Sequence, residues 1–433
     1  MKKLLLACLF PAYLFAQSTE LSSIESLPVA NDLPYFSEKE QAVQRTNDYK
    51  KAIDDIDEKL DNCTTQCEQL EHKKDQYKKA LKDHSTKNGL PLFSILGGPG
   101  YMPETGLMLA AGALYSFSTN RAEEALQRSS VTLVAIANEL DDGVGLGLRS
   151  KQNLFFDDNA IRYIGKLTMG KQNEYYWGIG YDAGEAQESS DDLLYEYNFI
   201  NYQGNLTFET EYGFYIGPAL QIKYYQPNQD SLPQTAIDDP NFQEFKDKPF
   251  SLGLGIVLEK DTRDFSVNAW KGHFLSFEYI AYSQKIGSDN DYQKLALDYR
   301  YYYSLAVGRV LAFYNQFQWS KGDIPYYDMP TLGGQDSLRG VYRGHYRDKN
   351  TIENSVEYRH TFKDSNHELT RHGMTVFTGM GSISENPNQL YEDIIFSYGV
   401  GYRYELQPRM NVRVDYGRSA TESGFYLTFN EAF

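Results

Sequence analysis

The sequence predicts an all-β fold, a 16-stranded antiparallel transmembrane β-barrel preceded by a short N-terminal helical, coiled-coil segment. From about residue 105 onward, apolar and polar residues alternate with the period of two that is typical of β-strands. Many alternating segments span ten residues or more, enough to cross an apolar band about 25 Å tall. Tyr (36) and Phe (24) far outnumber Trp (3), and aromatic residues are typical of the girdles of such barrels.

Composition excludes two other classes of protein. The 433 residues carry a net charge of -17 and have a mean hydropathy of -0.55. Downstream of the N-terminus no window of about 18 apolar residues is present, so the sequence predicts no membrane-spanning helix. The acidic balance argues against nucleic acid as a partner, because phosphates require a basic surface.

The first 16 residues have the basic start and apolar core of a secretory signal peptide, with cleavage expected after Ala16. Residues 17–88 are expected to form a periplasmic linker and a coiled-coil helix, and residues 89–433 the outer-membrane barrel. The sequence therefore predicts a protein that leaves the cytoplasm.

A heptad pattern occupies the end of the predicted N-terminal segment. Apolar positions recur from Tyr49 to Leu81 at alternating spacings of four and three, with one polar interruption at Lys74. This spacing favours a coiled coil and self-association through it. A lone amphipathic helix lying on the barrel rim or the membrane is the alternative. Cys63 and Cys67 both fall on the apolar seam, so interchain disulfides are expected.

Counting alternating segments gives roughly 16 strands, and an even number closes a barrel without a free edge. The predicted segments are 105–118, 129–138, 143–155, 160–170, 174–184, 193–209, 213–226, 250–260, 272–285, 292–305, 308–320, 352–363, 371–384, 393–406, 408–418 and 422–433.

A glycine-rich and arginine-rich stretch lies between the eleventh and twelfth segments. A connection of about 30 residues is uncommon unless it is functional or disordered. Its glycines permit tight turns, and its apolar side chains could anchor it inside the barrel. The residues of interest are Gly333, Gly334, Ser337, Leu338, Arg339 and Gly340.

This motif resembles the signature loop of the bacterial surface antigen superfamily, the BamA/TamA-like outer-membrane barrels. The resemblance implies that the loop dips into the lumen and that Arg339 pairs with an acid on the twelfth strand, here Glu357. A second acid found in some relatives is replaced by Gly379, and Asp415, Asp298 or Glu405 could compensate. The alternative is that the arginines line a solvated loop.

Other segments add to the resemblance. Tyr101–Leu107 is similar to the family's motif leading into the first strand, and Asp261–Asp264 to the motif before the ninth strand. The C-terminal strand, with Phe425, Leu427, Phe429 and Phe433, is similar to the signal that the barrel assembly machinery reads. Glu431 interrupts its apolar face and is expected at the membrane interface, where a carboxylate costs little.

The resemblance implies insertion or translocation of proteins or lipids at the outer membrane, through a lateral seam between the first and last strands. The partners it implies are outer-membrane lipids and the barrel assembly machinery, with an unknown client protein or lipid. The stretch before the barrel leaves no room for the family's periplasmic POTRA domains. A gated diffusion channel plugged by the Arg339 loop, or a structural surface protein tethered by its coiled coil, are the alternatives.

Enzymatic activity is not expected. Nucleophile, zinc-site and phosphate-loop motifs are absent from the sequence, and the seven histidines are scattered. Ser337 with His345, or Asp364 with His367, could be forced into a catalytic pair but are better explained as ordinary loop residues. Cofactors and metal sites are likewise not expected.

Overall fold

A computed structural model describes residues 27, 33–65, 67–121, 127–140, 143–186, 191–407 and 409–433. The predicted signal peptide, residues 1–16, and most of the linker lie outside the described residues.

Sixteen strands form one closed barrel in which each strand pairs with its neighbours in sequence and β1 pairs with β16. The predicted fold class is therefore confirmed. The strands are β1 Leu92–Met102, β2 Gly106–Phe117, β3 Ser129–Leu140, β4 Gly143–Phe156, β5 Ile161–Tyr175, β6 Leu194–Glu209, β7 Tyr215–Pro227, β8 Phe250–Asp261, β9 Gly272–Tyr282, β10 Tyr292–Ala306, β11 Arg309–Gly322, β12 Asn350–Lys363, β13 Leu369–Ser384, β14 Ile395–Gln407, β15 Met410–Arg418 and β16 Ser423–Phe429.

One predicted segment was wrong and one strand was missed, so the count of sixteen survived because the two errors cancel. The first strand, Leu92–Met102, was missed because its glycines and Pro99 are typical of a boundary rather than a strand. The predicted strand 174–184 is instead the end of β5 and a connection, in which Gly178 and Gly180 have φ of +104° and +95°. Those conformations favour glycine and end the strand.

The alternation separates an apolar outer face from a polar lumen. On β15, Val412 and Val414 face outward, while Arg413 and Asp415 are buried on the other face. On β4, Leu146 is 70% exposed on the outer face. Side chains at alternate positions of a strand point to opposite faces, so charged groups on these strands collect inside the barrel.

Long connections close one end of the barrel. They join β5 to β6, β7 to β8 and β11 to β12, and they contain the short helices α3 Tyr181–Glu185, α4 Gln234–Asp238 and α5 Pro240–Phe245. The ring of Phe242 lies 4.9 Å from that of Tyr176 and 4.0 Å from that of Tyr326, and Trp177 stacks on His345. These three connections therefore pack into one aromatic lid.

The residues before β1 form a compact unit of their own. It consists of two helices, α1 Lys39–Asp61 and α2 Cys67–Lys87, so the single continuous helix expected from the heptads was wrong. Tyr49 and Ile56 of α1 pack with Tyr77 of α2 in one core. Lys74, the polar interruption, pairs with Asp57 of the other helix. No described helix is long and apolar enough to cross a bilayer.

A disulfide joins Cys63 and Cys67 across the bend between the two helices, with 5.8 Å between their Cα atoms. The expected interchain bridge is therefore wrong for this structure. The expectation rested on both cysteines lying on one helix, where their Cβ atoms point badly for a bond. Breaking the helix at Asn62 removes that obstacle.

Candidate functional site

The connection between β11 and β12, residues 323–349, is here called the lumen loop. Its Leu332, Leu338 and Val341 are fully buried. A bridge between Thr331 and Arg347 closes its base. The loop is thus a packed part of the barrel interior, not a solvated surface loop.

Gly340 allows the backbone of the loop to lie directly on the backbone of β15. Its φ is +101°, and a Cβ atom added there would lie 2.3 Å from the nitrogen of Arg418. A Cβ atom on Gly417 would in turn meet the carbonyl oxygen of Arg339 at 2.5 Å. Both positions require glycine, because side chains there would push the backbone of the loop away from the backbone of β15.

Gly333 binds the loop to β12. Its φ is +91°, and its N–H donates to Oε1 of Glu353 at 3.0 Å. Gly334 has a φ of +99°, and its N–H donates to the carbonyl oxygen of Val341, 3.0 Å away. Ser337 donates its hydroxyl to the carbonyl of Gly333 at 3.2 Å, which holds the turn together.

Leu338 occupies a notch in β13. A Cβ atom added to Gly379 or Gly381 would lie 2.8 Å or 3.1 Å from its methyl carbons. The position at which some relatives carry a second acid is therefore filled by a leucine of the loop. A larger residue at Gly379 would push the loop out of the barrel wall.

Arg339 lies at the centre of the site and is fully buried. Its guanidinium forms an ion pair with Glu357 of β12 and another with Asp415 of β15, the latter at 2.7 Å. Its central carbon lies 3.6 Å from the ring centroid of Phe377. Of the three acids that could compensate for the one missing at Gly379, Asp415 is the one that pairs with Arg339, whereas Asp298 pairs with Arg300.

The ion pairs of Arg339 belong to a closed ring of alternating charges, here called the charge ring. Glu357 binds Nε of Arg359 at 2.9 Å, and Arg359 lies 3.8 Å from Glu431. Glu431 binds Nε of Arg403 at 2.8 Å, and Arg403 binds Asp415 at 2.5 Å. The charge ring links the lumen loop, β12, β14, β15 and the C-terminal tail.

The cations of the charge ring lower the pKa of the buried Glu431 carboxyl. Burial acts to raise the pKa of Glu431, but Arg403 and Arg359 bring it to about 2. Arg413 adds a fourth cation, bound to Asp415 at 3.2 Å and to Asp336 of the loop at 2.7 Å. Counting Asp336, four cations face four anions. Each buried charge thus has a partner, as a low-dielectric interior requires.

Three further ion pairs attach the loop to the opposite wall. Asp328 binds Lys223 of β7 and, at 2.5 Å, Lys294 of β10. Burial acts to raise the pKa of Asp328, yet these two cations hold it at about 2. Arg347 binds Glu174 of β5 at 2.6 Å. The loop is therefore fixed at three points around the barrel.

The loop also contacts both sides of the junction between β1 and β16, here called the seam. The N–H of Arg343 donates to Glu104, in the turn after β1, at 2.7 Å. The N–H of Tyr342 donates to Glu422, in the turn before β16, at 2.8 Å. The N–H of Gly340 reaches the hydroxyl of Tyr426 on β16 at 3.1 Å. Burial raises the pKa of Glu104 above its ordinary value.

The seam itself is short. Among the described residues, the register between β1 and β16 consists of one pair, Tyr101 with Leu427, whereas β15 and β16 pair from Val412–Phe429 to Arg418–Ser423. The motif Tyr101–Leu107 forms the turn between β1 and β2 and does not lead into the first strand.

The chain end divides into two parts. Phe425 and Phe429 are 48% and 37% exposed on the outer face and Leu427 is partly buried. Phe433 instead turns inward, is 6% exposed and stacks on Tyr314. The predicted strand 422–433 therefore ends at Phe429, and the expectation that Glu431 lies at the membrane interface was wrong.

Neither of the two catalytic pairs considered from the sequence, Ser337 with His345 and Asp364 with His367, has the contacts of a catalytic pair. His345 stacks on Trp177, binds the carbonyl of Gly184 and lies 2.8 Å from Glu422. Asp364 accepts the backbone N–H groups of a tight turn. Both residues are explained by their structural contacts.

Sequence reasoning missed Glu431, Arg403 and Asp328 as parts of the site. Their signal in the sequence is weak, because each is one charge among many on an alternating strand or in a loop. Only the pairing of distant strands brings Glu431 beside Arg403.

Comparisons with known proteins agree with this fold. A model of the Omp85 superfamily domain matches residues 153–433. BamA from Haemophilus ducreyi lacking POTRA domains 1-3 is similar in structure, with a TM-score of 0.53, 13% identity, and 78% of this chain and 70% of that chain covered. CdiB from Escherichia coli has a TM-score of 0.50 and 9% identity, with 80% and 69% covered.

At these identities the similar structures show the fold alone, and no curated protein sequence matches the chain significantly. The family model covers most of the barrel, including the lumen loop and the chain end. The resemblance drawn from the sequence is thereby confirmed: the chain is an outer-membrane β-barrel that belongs to the Omp85 superfamily.

Proposed function

We propose that this barrel inserts or translocates proteins or lipids at the outer membrane by opening at the seam between β1 and β16. One observation carries the proposal: among the strand pairs whose register is described, the seam has the shortest register, a single pair, while ion pairs hold the lumen loop inside the barrel. The chain belongs to the Omp85 superfamily, and its fold is similar to that of BamA and CdiB.

The weakness of the seam follows from the sequence of β1. The run Gly97, Gly98, Pro99 and Gly100 lies within the strand. Proline has no N–H to donate to the neighbouring strand, and glycine in a strand interior weakens it. The partner β16 is only 7 residues long. Opening here breaks fewer hydrogen bonds than opening between any two neighbouring strands from β3 to β16, whose registers are longer.

Displacement of the lumen loop would break the charge ring. Removing one partner of a buried ion pair costs about 3–5 kcal/mol, and the loop makes such pairs through Arg339, Asp328 and Arg347. This cost disfavours the gated channel, in which the loop must leave the lumen. The loop instead supports the seam through its contacts with Glu104 and Glu422.

The alternative function, a structural surface protein tethered by its coiled coil, has less support. Apolar positions of the heptads pack between α1 and α2 within one chain, which uses the surface that a coiled-coil partner would need. We infer that the helical hairpin lies in the periplasm, because the predicted signal peptide and the barrel flank it in sequence. Outer-membrane lipids and the barrel assembly machinery remain its proposed partners.

Locking the seam tests the proposal. The double variant Tyr101→Cys/Leu427→Cys places two cysteines at paired positions, where Cα separations of about 4.5–5.5 Å suit a disulfide. The variant Val414→Cys/Leu427→Cys locks β15 to β16 instead and is the matched control. Both are reconstituted in liposomes, and the folding of an added urea-denatured barrel protein is followed by its heat-modifiable gel mobility.

We expect the oxidised seam lock to lose the acceleration that the wild type gives, and reduction to restore it. The control lock should stay active in both states. If the oxidised seam lock accelerates folding as well as the wild type, the seam is not the route and the proposal is wrong.

A further inference from the structure

A groove of about 620 Å³ runs across the outer face of strands β11 to β15. Val356, Val376 and Val400 line it, and the rings of Tyr398 and Tyr416 flank it. Val400 is 55% exposed and Tyr398 is 53% exposed. Its volume lies within the range of about 300–1,000 Å³ that is typical of small-ligand sites.

The groove faces hydrocarbon. Val376 is paired with Val400, and Val400 with Tyr416, in adjacent strands, so these side chains share one face. The intervening residues Phe377 and Asp415 are buried on the opposite, lumenal face. In an outer-membrane barrel the outer face contacts lipid, and a depression in it is filled by an acyl chain because water is excluded there.

A cation lies at one end of the groove. Arg418, the last residue of β15, lines it and is paired with Tyr398 in the next strand. Its side chain is exposed, and among the described residues it has no ion pair. By contrast, Arg413 on the lumenal face of the same strand pairs with two acids. An outward arginine at a strand end lies where lipid headgroups are.

We propose that this groove is a binding site for a lipid with an anionic phosphate headgroup. One acyl chain lies along Val356, Val376 and Val400, and the guanidinium of Arg418 binds the phosphate. A guanidinium matches phosphate oxygens with two parallel hydrogen bonds. A zwitterionic headgroup carries its own cation beside the phosphate, so the net negative charge of an anionic headgroup favours it at this site.

The site adjoins the lumen loop. The backbone of Arg418 lies against Gly340, where an added Cβ atom would be 2.3 Å from its nitrogen. A lipid held at Arg418 therefore contacts the same residue that supports the loop from inside. The inference rests on the membrane-spanning barrel and does not depend on the proposed insertion activity.

Lipid binding to the purified full-length protein, measured by native mass spectrometry, tests this site. Phosphatidylglycerol and phosphatidylcholine with identical acyl chains are the probes. Arg418→Gln removes the cation, and Val400→Trp fills the groove. The matched controls are Arg309→Gln, an exposed arginine at the first residue of β11, and Val131→Trp on β3. Heat-modifiable gel mobility checks that each variant is folded.

We expect the wild type to bind phosphatidylglycerol more tightly than phosphatidylcholine. Arg418→Gln should weaken phosphatidylglycerol binding about fivefold, which corresponds to about 1 kcal/mol, and should weaken phosphatidylcholine binding less, because the choline cation already offsets the charge of its phosphate. Val400→Trp should weaken both lipids, and the controls neither. The proposal is overturned if Arg418→Gln and Arg309→Gln behave alike, or if Val400→Trp instead abolishes a dimer of the protein.

A second measurement covers the case in which Val400→Trp does not fold. Phosphatidylglycerol with a photoreactive acyl chain should crosslink to the wild type within residues 350–363, 369–384 and 395–407, the strands that carry Val356, Val376 and Val400. Crosslinks spread evenly around the barrel would show a general lipid belt and would equally overturn the site.

Discussion

Arg339 occupies a position that no other residue type can fill. It is buried between two carboxylates on different strands, Glu357 and Asp415, with the ring of Phe377 against its guanidinium. The planar guanidinium of arginine has several N–H donors in fixed directions and can bind both carboxylates at once, whereas the ammonium group of lysine is a single point charge. The residue thus joins the lumen loop to both β12 and β15.

Arg339→Ala is expected to destabilise the barrel by about 3–5 kcal/mol, because it leaves two buried carboxylates without their cation. Arg343→Ala is the control, since that side chain is exposed in the same loop. A surface change of this kind is expected to stay within about 0.5 kcal/mol. The free energy of unfolding, measured by urea titration in lipid vesicles, compares the two.

Equal stabilities for Arg339→Ala and Arg343→Ala would contradict this account of the charge ring. Unchanged assembly and gating in Arg339→Ala would likewise count against an inward-facing role for the loop.

Among the structural elements, the helical hairpin shows how a heptad pattern can mislead. The spacing of four and three continues through Cys63 and Cys67, yet the chain turns there and the two halves of the pattern face each other. The partner of the apolar seam is therefore the second half of the same chain. A heptad pattern fixes which face is buried but not what buries it.

The hairpin should lose stability as the pH falls below about 6.5, the ordinary pKa of histidine. Buried His84 binds the carbonyl of Ala42 through Nε2, and its Nδ1 faces the side-chain amide of Asn88. Burial lowers the pKa of His84. As the pH falls, His84 therefore binds a proton at a higher pH in the unfolded hairpin than in the folded one. The contribution to stability is complete above pH 6.5 and declines below it.

Amide hydrogen exchange of residues 39–61 and 67–87, corrected for intrinsic rates, measures this effect between pH 7.5 and 5.5. His72→Gln, an exposed position of the same helix, should behave as the wild type, and His84→Gln should lack the pH dependence. A wild-type hairpin equally protected at both pH values would refute the prediction.

At the scale of the whole molecule, the lumen loop and the aromatic lid close the barrel. Large strand numbers leave an aqueous lumen unless it is filled, and here Asp328, Arg339 and Arg347 attach the loop to walls on opposite sides. Ionic contacts close the barrel from inside, and among the strand pairs whose register is described β1 and β16 have the shortest.

Deleting residues 333–347 should open the lumen. In planar bilayers we expect small, flickering currents from the wild type and large, stable currents from the deletion variant. A deletion of residues 386–391 in the connection between β13 and β14, which contributes no charge to the ring, is the control. Large steady currents from the wild type would indicate an open pore, and the insertion proposal should then be abandoned.

The sequence by itself determined the fold class and the position of the lumen loop. Alternation with period two is a local property, so it predicts most strands and their inner and outer faces from neighbouring residues alone. The glycines and Arg339 mark the loop because their backbone and charge requirements are also local. β1 escaped detection because glycines and a proline remove the local signal.

Only the tertiary structure decided which charges meet. Glu431 seemed an interruption of an apolar strand, and it joins the charge ring because the tail beyond Phe429 turns into the lumen beside β14. Asp415 replaces the acid missing at Gly379 because β15 approaches the loop from the other side. Such pairings depend on strand register and on contacts between residues far apart in sequence, which no local pattern encodes.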